Sequence, residues 1–158
     1  MECFKTFRKA PPSQLIMTLL VKNEESMLEE NLLFHKAMGV DSFIITDNNS
    51  TDSTPEIIRK YKQKGWIKEV IEEKATDYEQ KEWVDRMIWK AKTIYKADWI
   101  INADADELWY SPSGNLKTDL SATHANVLNC EMRSVYPEEN RPFWQWDKVV
   151  RPVSEPER

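Results

Sequence analysis

Three carboxylates crowd into four positions of this chain: Asp104, Asp106 and Glu107, with Ala105 between the first two. In extended backbone, side chains two apart share a face, so Asp104 and Asp106 project together while Ala105 turns away. Like charges held that close repel unless a cation, a proton or a hydrogen-bond donor compensates them. Hard oxygen ligands of this kind suit Mg2+, Mn2+ or Ca2+. The same residues also fit a solvated acidic loop, and Asp-x-Asp alone does not separate the two readings. Immediately upstream stands Trp99-Ile100-Ile101-Asn102-Ala103, an apolar β-branched run that reads as a buried strand. Such a strand would deliver the acids to one edge of a sheet.

Stepping upstream, residues 14–21 read as a strand whose entry is kept non-helical by Pro11-Pro12. Asn23 then serves as a helix N-cap, with Glu24 and Glu25 in the first turn where carboxylates suit the helix dipole. The helix runs to Met38 and ends at Gly39, with Met27, Leu28, Leu32, Phe34, His35 and Met38 on its apolar face. His35 is expected to be a packed histidine, not a ligand. Residues 40–46 form a second strand ending in Asp47-Asn48-Asn49-Ser50-Thr51-Asp52, and Thr54-Pro55 caps and opens a helix that closes at Gly65. A third strand covers residues 66–71. A long helix covers 78–96, with Trp83, Val84, Met87, Ile88, Ala91, Ile94 and Tyr95 along one side.

Strands and helices alternating over short connections predict an α/β fold, a mainly parallel sheet with helices on both faces. Ligands of such sheets sit beyond the carboxyl ends of the strands. That rule gathers residues 22–25, 47–52 and 104–107 onto one edge. Past Glu107 the alternation stops: Ser111-Pro112-Ser113-Gly114-Asn115 is a loop, residues 125–136 and 143–150 are strand candidates, and the last fifty residues are expected to pack as a short antiparallel extension. Residues 1–158 are taken as one domain, or as a fragment of a longer chain.

Composition narrows the function. A net charge of −5 argues against a nucleic-acid partner, which requires a basic face. Cys3 and Cys130 form no Cys-x-x-Cys or Cys/His cluster, leaving zinc and disulfide chemistry without support. The longest apolar runs are too short to span a bilayer and residues 1–12 lack a signal-peptide core, so a soluble, cytoplasmic domain is expected, with any membrane association supplied by a missing region. Seven tryptophans serve either the core or a stacking surface.

The loop at 47–52 fails as a calcium-binding EF-hand, since Asp52 stands where Gly is required and Ile58 where Glu is required. It fits either a turn and helix cap or a site for the polar edge of a base or the hydroxyls of a ribose. With three glycines in the chain and no Gly-x-Gly-x-x-Gly or Gly-x-x-x-x-Gly-Lys, no glycine loop cradles phosphates. A diphosphate would then be neutralised by a metal on residues 104–107, or by Lys22 and Arg86.

The segments Met17-Thr18-Leu19-Leu20-Val21-Lys22-Asn23-Glu24-Glu25, Ile45-Thr46-Asp47-Asn48-Asn49-Ser50-Thr51-Asp52 and Asp104-Ala105-Asp106-Glu107, in that order and spacing, resemble the family-2-like glycosyltransferases of GT-A fold over about the first 110 residues. The resemblance implies transfer of a sugar from a nucleotide-diphosphate donor (a UDP-, dTDP- or GDP-sugar) to a carbohydrate or glycoconjugate acceptor, usually with inversion and with Mn2+ or Mg2+. It implies that Leu20, Lys22, Asn23 and Glu24, with Asp47 and Asn48, line the nucleoside. Asp104 would lie near the ribose or sugar, and Asp106, with Asp104 or Glu107, would bind the metal. The base contact stays open between Asp47 and Asn48, because relatives carry Asp-Asp-Gly-Ser where this chain has Asp47-Asn48-Asn49-Ser50. Of the family's Arg-Asn-x-Gly segment only Arg86 carries over.

An inverting displacement also needs a carboxylate that takes the acceptor's proton. Glu131, Glu138 and Glu139 are the candidates downstream of the acidic motif, and none has a recognisable context. The alternative to an enzyme is a partial, non-catalytic module that binds the donor without its own base.

Overall fold

The computed structural model describes residues 13–74 and 80–123, together with residues 125–128, 130–135, 138, 139, 141 and 145. The elements run β1 (Leu15–Val21), α1 (Leu28–Ala37), β2 (Ser42–Asp47), α2 (Thr54–Gln63), β3 (Ile67–Glu72), α3 (Gln80–Thr93), β4 (Trp99–Ala103) and α4 (Leu116–Ser121). The four strands form one parallel sheet in the order β3-β2-β1-β4. This is the α/β architecture expected from the alternation.

β1 and β2 are buried on both faces, and their alternate side chains feed two separate cores. Leu15, Met17, Leu19 and Val21 of β1 join Phe43 and Ile45 of β2, Leu28 and Leu32 of α1, and Ile58 and Tyr61 of α2. On the other face Ile16 and Ile44 meet Met87 and Ala91 of α3, flanked by Leu20 and Ile100. The period of two along the strands assigns each residue its face. Every such fully buried Leu or Ile contributes about 1.5–3 kcal/mol by leaving water. Of the tryptophans, Trp83 is buried, Trp66, Trp99 and Trp109 pack against the first core, and Trp89 is 59% exposed. Trp144 and Trp146 lie outside the described residues.

The strand order has a direct bearing on the site. From β1 the chain steps outward through β2 to β3. The α3 crossover then brings it back to the opposite side of β1, where β4 pairs Leu19 with Ala103. The first crossover therefore leaves β1 toward β2 while β4 lies on the other side of β1, and it is at such a change of direction in the strand order that ligands of parallel sheets are commonly held.

Several local expectations are corrected. Helix α1 begins at Leu28, not after Asn23. Asn23 adopts φ 56°, and its side chain is engaged by the neighbouring loop, so residues 24–28 form a turn closed by Met27 N–H and Leu28 N–H donating to the Glu24 carbonyl. At α2 the capping acceptor is Asp52, whose Oδ1 receives the Thr54 N–H at 3.0 Å; the Thr54 hydroxyl is used elsewhere. Helix α4 was not anticipated. Asn115 caps it by accepting from Lys117 N–H at 2.9 Å. The antiparallel extension is not seen: described residues 125–135 hold only an isolated bridge at Val135. Val127 and Met132 are 84% and 82% exposed, so no apolar face is buried to stabilise a strand there. Of residues 143–150 only Gln145 is described, and the amino-terminal twelve residues and 75–79 lie outside the description.

The chain divides into two units, Met1–Thr123 and His124–Arg158. Among the described residues no helix is long and apolar enough to cross a membrane.

Candidate functional site

A cleft of about 610 Å³ opens at the carboxyl ends of β1 and β4. Leu20, Val21, Lys22, Glu24 and Met27 form one wall, Asn48 and Gln80 border it, and Asp104, Ala105 and Asp106 close the other side. Its size is that of an ordinary small-molecule site. Each of the three polar segments gathered by the parallel-sheet rule contributes to it.

Two of those segments are stitched to each other by hydrogen bonds. Asn23 Oδ1 accepts from Thr51 N–H at 2.8 Å, while Asn23 N–H donates to Ser50 Oγ at 2.9 Å. Glu24 N–H donates to Thr54 Oγ1 at 2.8 Å, Glu25 N–H to Asp52 Oδ2 at 3.1 Å, and Ser53 N–H to Glu25 Oε2 at 2.9 Å. Asn23 and Asn49 both sit at positive φ, 56° and 54°, a region asparagine tolerates better than most residues. Asp47 Oδ1 accepts from both Ser50 N–H and the Ser50 hydroxyl, at 3.1 and 2.6 Å. Asp47 thus closes the loop on itself, and Asn48, whose N–H is anchored on the Val21 carbonyl at 2.8 Å, is the member of the pair that lines the cleft.

The acidic segment is a turn, not extended chain. β4 ends at Ala103, and Glu107 N–H donates to the Asp104 carbonyl at 3.1 Å. The expected alternation of faces nevertheless holds: Ala105 is buried, whereas Asp104 and Asp106 are exposed. Glu107 differs from both, because its Oε2 folds back to accept the Asp104 N–H at 3.3 Å. Among the described residues, no side chain or backbone donor meets the carboxylates of Asp104 and Asp106.

A buried polar pair on α1, which the apolar periodicity did not single out as functional, holds this turn from behind. Asn31 and His35 are fully buried. Asn31 Nδ2 donates to the carbonyls of Ala105 and Glu107, both at 2.9 Å. His35 Nε2 accepts the Trp109 N–H at 2.9 Å, so the ring's proton sits on Nδ1, which faces Asn31 O at 2.9 Å and Asn31 Oδ1 at 3.0 Å. Burial pulls the His35 pKa down to about 4 against the opposing hydrogen bond to the Asn31 carbonyl. His35 is the packed histidine its sequence context suggested.

The electrostatics of the cleft are acidic. The Glu24 carboxyl is held above its usual value by burial and then by the charges of Asp106, Asp52 and Asp104. Lys22 is the basic side chain lining the cleft. Arg86 is directed to Glu73, whose Oε2 it reaches at 2.7 Å, and its Nε finds no partner among the described residues. Glu131 is paired with Arg133 at 3.1 Å and Glu138 with Arg141 at 3.3 Å, while Glu139 is exposed; all three belong to the second unit.

Among the described residues, no group of three or more acidic, histidine or cysteine side chains converges to enclose a metal ion. Two outward carboxylates do fit a cation that draws its remaining ligands from water and from phosphate oxygens of a second molecule, as Mg2+-type sites commonly do.

Residues 17–140 match the family model described as glycosyltransferase family 92. The chain belongs to that family. The three motifs implied a family-2-like member; glycosyltransferase membership is what the two readings share, and the family matched is 92. The chain is also similar, at low identity, to solved structures. One is the mannosyltransferase PcManGT from Pyrobaculum calidifontis, in complex with GDP-Man and Mn2+, at 18% identity and TM-score 0.49 over 65% of this chain and 30% of that one. Another is S. aureus TarS 1-349, at 16% identity and TM-score 0.49 over 69% of this chain and 31% of that one. The chain therefore spans less than a third of the length of either structure. No curated protein matches it closely enough to count as a relative.

Proposed function

We infer that this chain forms the donor-binding part of a metal-dependent glycosyltransferase, one that takes a nucleotide-diphospho-sugar and serves transfer of the sugar to a carbohydrate or glycoconjugate acceptor. The observation that carries this reading is the cleft at the β1/β4 crevice, where Asn48 and Leu20 share the lining with two carboxylates that no donor among the described residues compensates. Family membership supplies the chemical class.

In this reading Leu20, Lys22 and Asn48 receive the nucleoside, and the Asn48 carboxamide offers both donor and acceptor to a base edge. Asn23, Glu25 and Asp47 act by tying the two loops together. Asp104 and Asp106 would hold Mn2+ or Mg2+, and the ion, when bound, supplies positive charge to the leaving diphosphate. Glu107 sets the turn by its bond to the Asp104 N–H and is not needed as a ligand. A cleft whose described lining holds three carboxylates and one lysine repels a diphosphate, so the reading requires binding that depends strongly on a divalent cation.

A second reading, a donor-binding module that lacks its own base, is favoured by one observation. The carboxylates lining the cleft among the described residues are Glu24, Asp104 and Asp106, so none is left over as an acceptor-side base if Glu24 stays beside the nucleoside. Thermal-shift screening of UDP, GDP and dTDP with and without Mn2+ tests the shared part of both readings. One diphosphate stabilising the chain much more with Mn2+ than without it supports the reading, and none doing so refutes it. Release of the nucleoside diphosphate from the corresponding sugar donor then separates enzyme from module.

A further inference from the structure

Helix α1 carries two polar residues, Asn31 and His35, at i and i+4 on the same face as Leu28 and Leu32, and all four are buried. Buried polar side chains are retained only where every donor and acceptor is matched. Here the matching is complete and fixes each orientation. The Asn31 amide nitrogen must face the Ala105 and Glu107 carbonyls, because turning the carboxamide round would set oxygen against oxygen. Its oxygen then faces His35 Nδ1, and the ring's other nitrogen is claimed by the Trp109 N–H. Three backbone groups of the segment 105–109 are thereby bound to two side chains of a helix that packs in the core.

That segment has no strand or helix of its own to hold it. Ala105 and Trp109 pack against the first core, and the other hydrogen bonds among the described residues are the turn bond from Glu107 N–H to the Asp104 carbonyl and the bond from Asp104 N–H to Glu107 Oε2. With the Ala105 and Glu107 carbonyls pinned inward, the side chain of Asp106 between them is turned outward, into the cleft.

We propose that Asn31 and His35 are positioning residues for the acidic turn: a buried pair that sets the direction in which Asp104 and Asp106 present their carboxylates to a divalent cation. The claim rests on the cation reading given above and adds to it a specific mechanical support. Neither residue touches the cleft, so neither is a catalytic residue. Groups behind a metal site that orient its ligands change affinity by roughly 10–100-fold when removed, and that is the size of effect expected here.

The test compares the full wild-type chain with Asp106→Ala, His35→Leu, His35→Gln and Asn31→Leu. UDP, GDP and dTDP are titrated by calorimetry with Mn2+ and with EDTA, and far-UV circular dichroism reports the fold. His35→Leu and Asn31→Leu should weaken Mn2+-dependent binding at least tenfold and leave the metal-free component within about twofold. His35→Gln keeps an acceptor for the Trp109 N–H and should recover most of the loss. A purely structural role would lower both components together, and that result overturns the positioning claim, as does unchanged Mn2+-dependent binding in His35→Leu. Wild-type binding indifferent to Mn2+, or Asp106→Ala titrating like wild type, overturns the cation reading instead. Should the leucine variants not fold, hydrogen exchange on the wild-type chain decides: the Trp109 amide must be protected like the amides of β1, and exchange at a free-loop rate overturns the proposal.

Discussion

Lowering the pH from 7 to 4.5 should weaken the native state through His35. The ring is fully buried, and its two nitrogens are already assigned, Nδ1 donating toward Asn31 and Nε2 accepting from Trp109. A second proton on Nε2 would meet the Trp109 N–H head on, and burial holds the native pKa down at about 4 from 6.5. With the folded value below the unfolded one, the unfolded chain binds the extra proton first. Stability is therefore independent of this group above pH 6.5, falls between 6.5 and 4, and levels off below. At 1.36 kcal/mol per unit the full effect is about 3 kcal/mol, most of it reached by pH 4.5. That is a large share of the 5–15 kcal/mol by which a domain of this class is usually stable. Urea titrations at pH 7 and 4.5, on wild type and on His35→Gln, isolate the term. Glu24, held up by burial and its acidic neighbours, and Glu29, held down by hydrogen bonds from Lys60 and Tyr61, are common to both proteins, so their contributions cancel in the comparison. The variant should lose about 2 kcal/mol less than wild type over the interval. Parallel losses would refute the reasoning that His35 is held neutral.

Gly39→Ala should destabilise the chain by about 2–3 kcal/mol in urea titration, combining strain at positive φ with loss of a cap. Gly39 lies at φ 96°, and an added Cβ would come within 2.7 Å of Asn115 Oδ1, the atom that caps α4. Gly65→Ala, at φ 75° with nothing within 4 Å, carries only the backbone term of about 1–2 kcal/mol, so equal effects at the two sites would refute the contact argument. At the neighbouring loop, Asp47→Ala should lower stability by about 1–2 kcal/mol because the Ser50 N–H and hydroxyl lose their acceptor. Asn48→Ala should instead weaken metal-free nucleotide binding with little change in midpoint, and the reverse pattern in calorimetry and urea titration would return the base contact to Asp47.

The strands, their parallel pairing and the sheet edge that gathers the polar segments were legible because β1, β2 and β4 are apolar runs that end in polar residues; burial on both faces holds for β1 and β2, whereas β4, expected as a buried strand, is an edge strand that exposes Asn102. His35 was legible as a packed residue for the same reason, through its spacing from Leu28 and Leu32. What escaped was polar and long-range. Asn31 looks like an ordinary helix residue until the turn at 104–107 is folded against it, 74 positions away from Ala105. A buried Asn four residues before a buried His, on an otherwise apolar face, was the available signal. Asn23 misled as a cap because its side chain has a non-local partner, Thr51, which competes with the local N–H groups of a helix start. Arg86 was carried over from a motif, and its guanidinium is taken by Glu73 at the end of β3. The apolar residues Val127 and Met132 suggested a strand where tertiary burial, which decides such segments, is absent among the described residues.

The central claim is that Asp106, with Asp104, binds a donor through a divalent cation. Titration calorimetry of the wild-type chain and Asp106→Ala with a UDP-, GDP- or dTDP-sugar tests it most directly, run with Mn2+ and with EDTA. Wild type should show Mn2+-dependent donor binding, and Asp106→Ala should lose it with an unaltered circular dichroism spectrum. Donor binding in Asp106→Ala as tight as in wild type, with the same response to Mn2+, would contradict the claim.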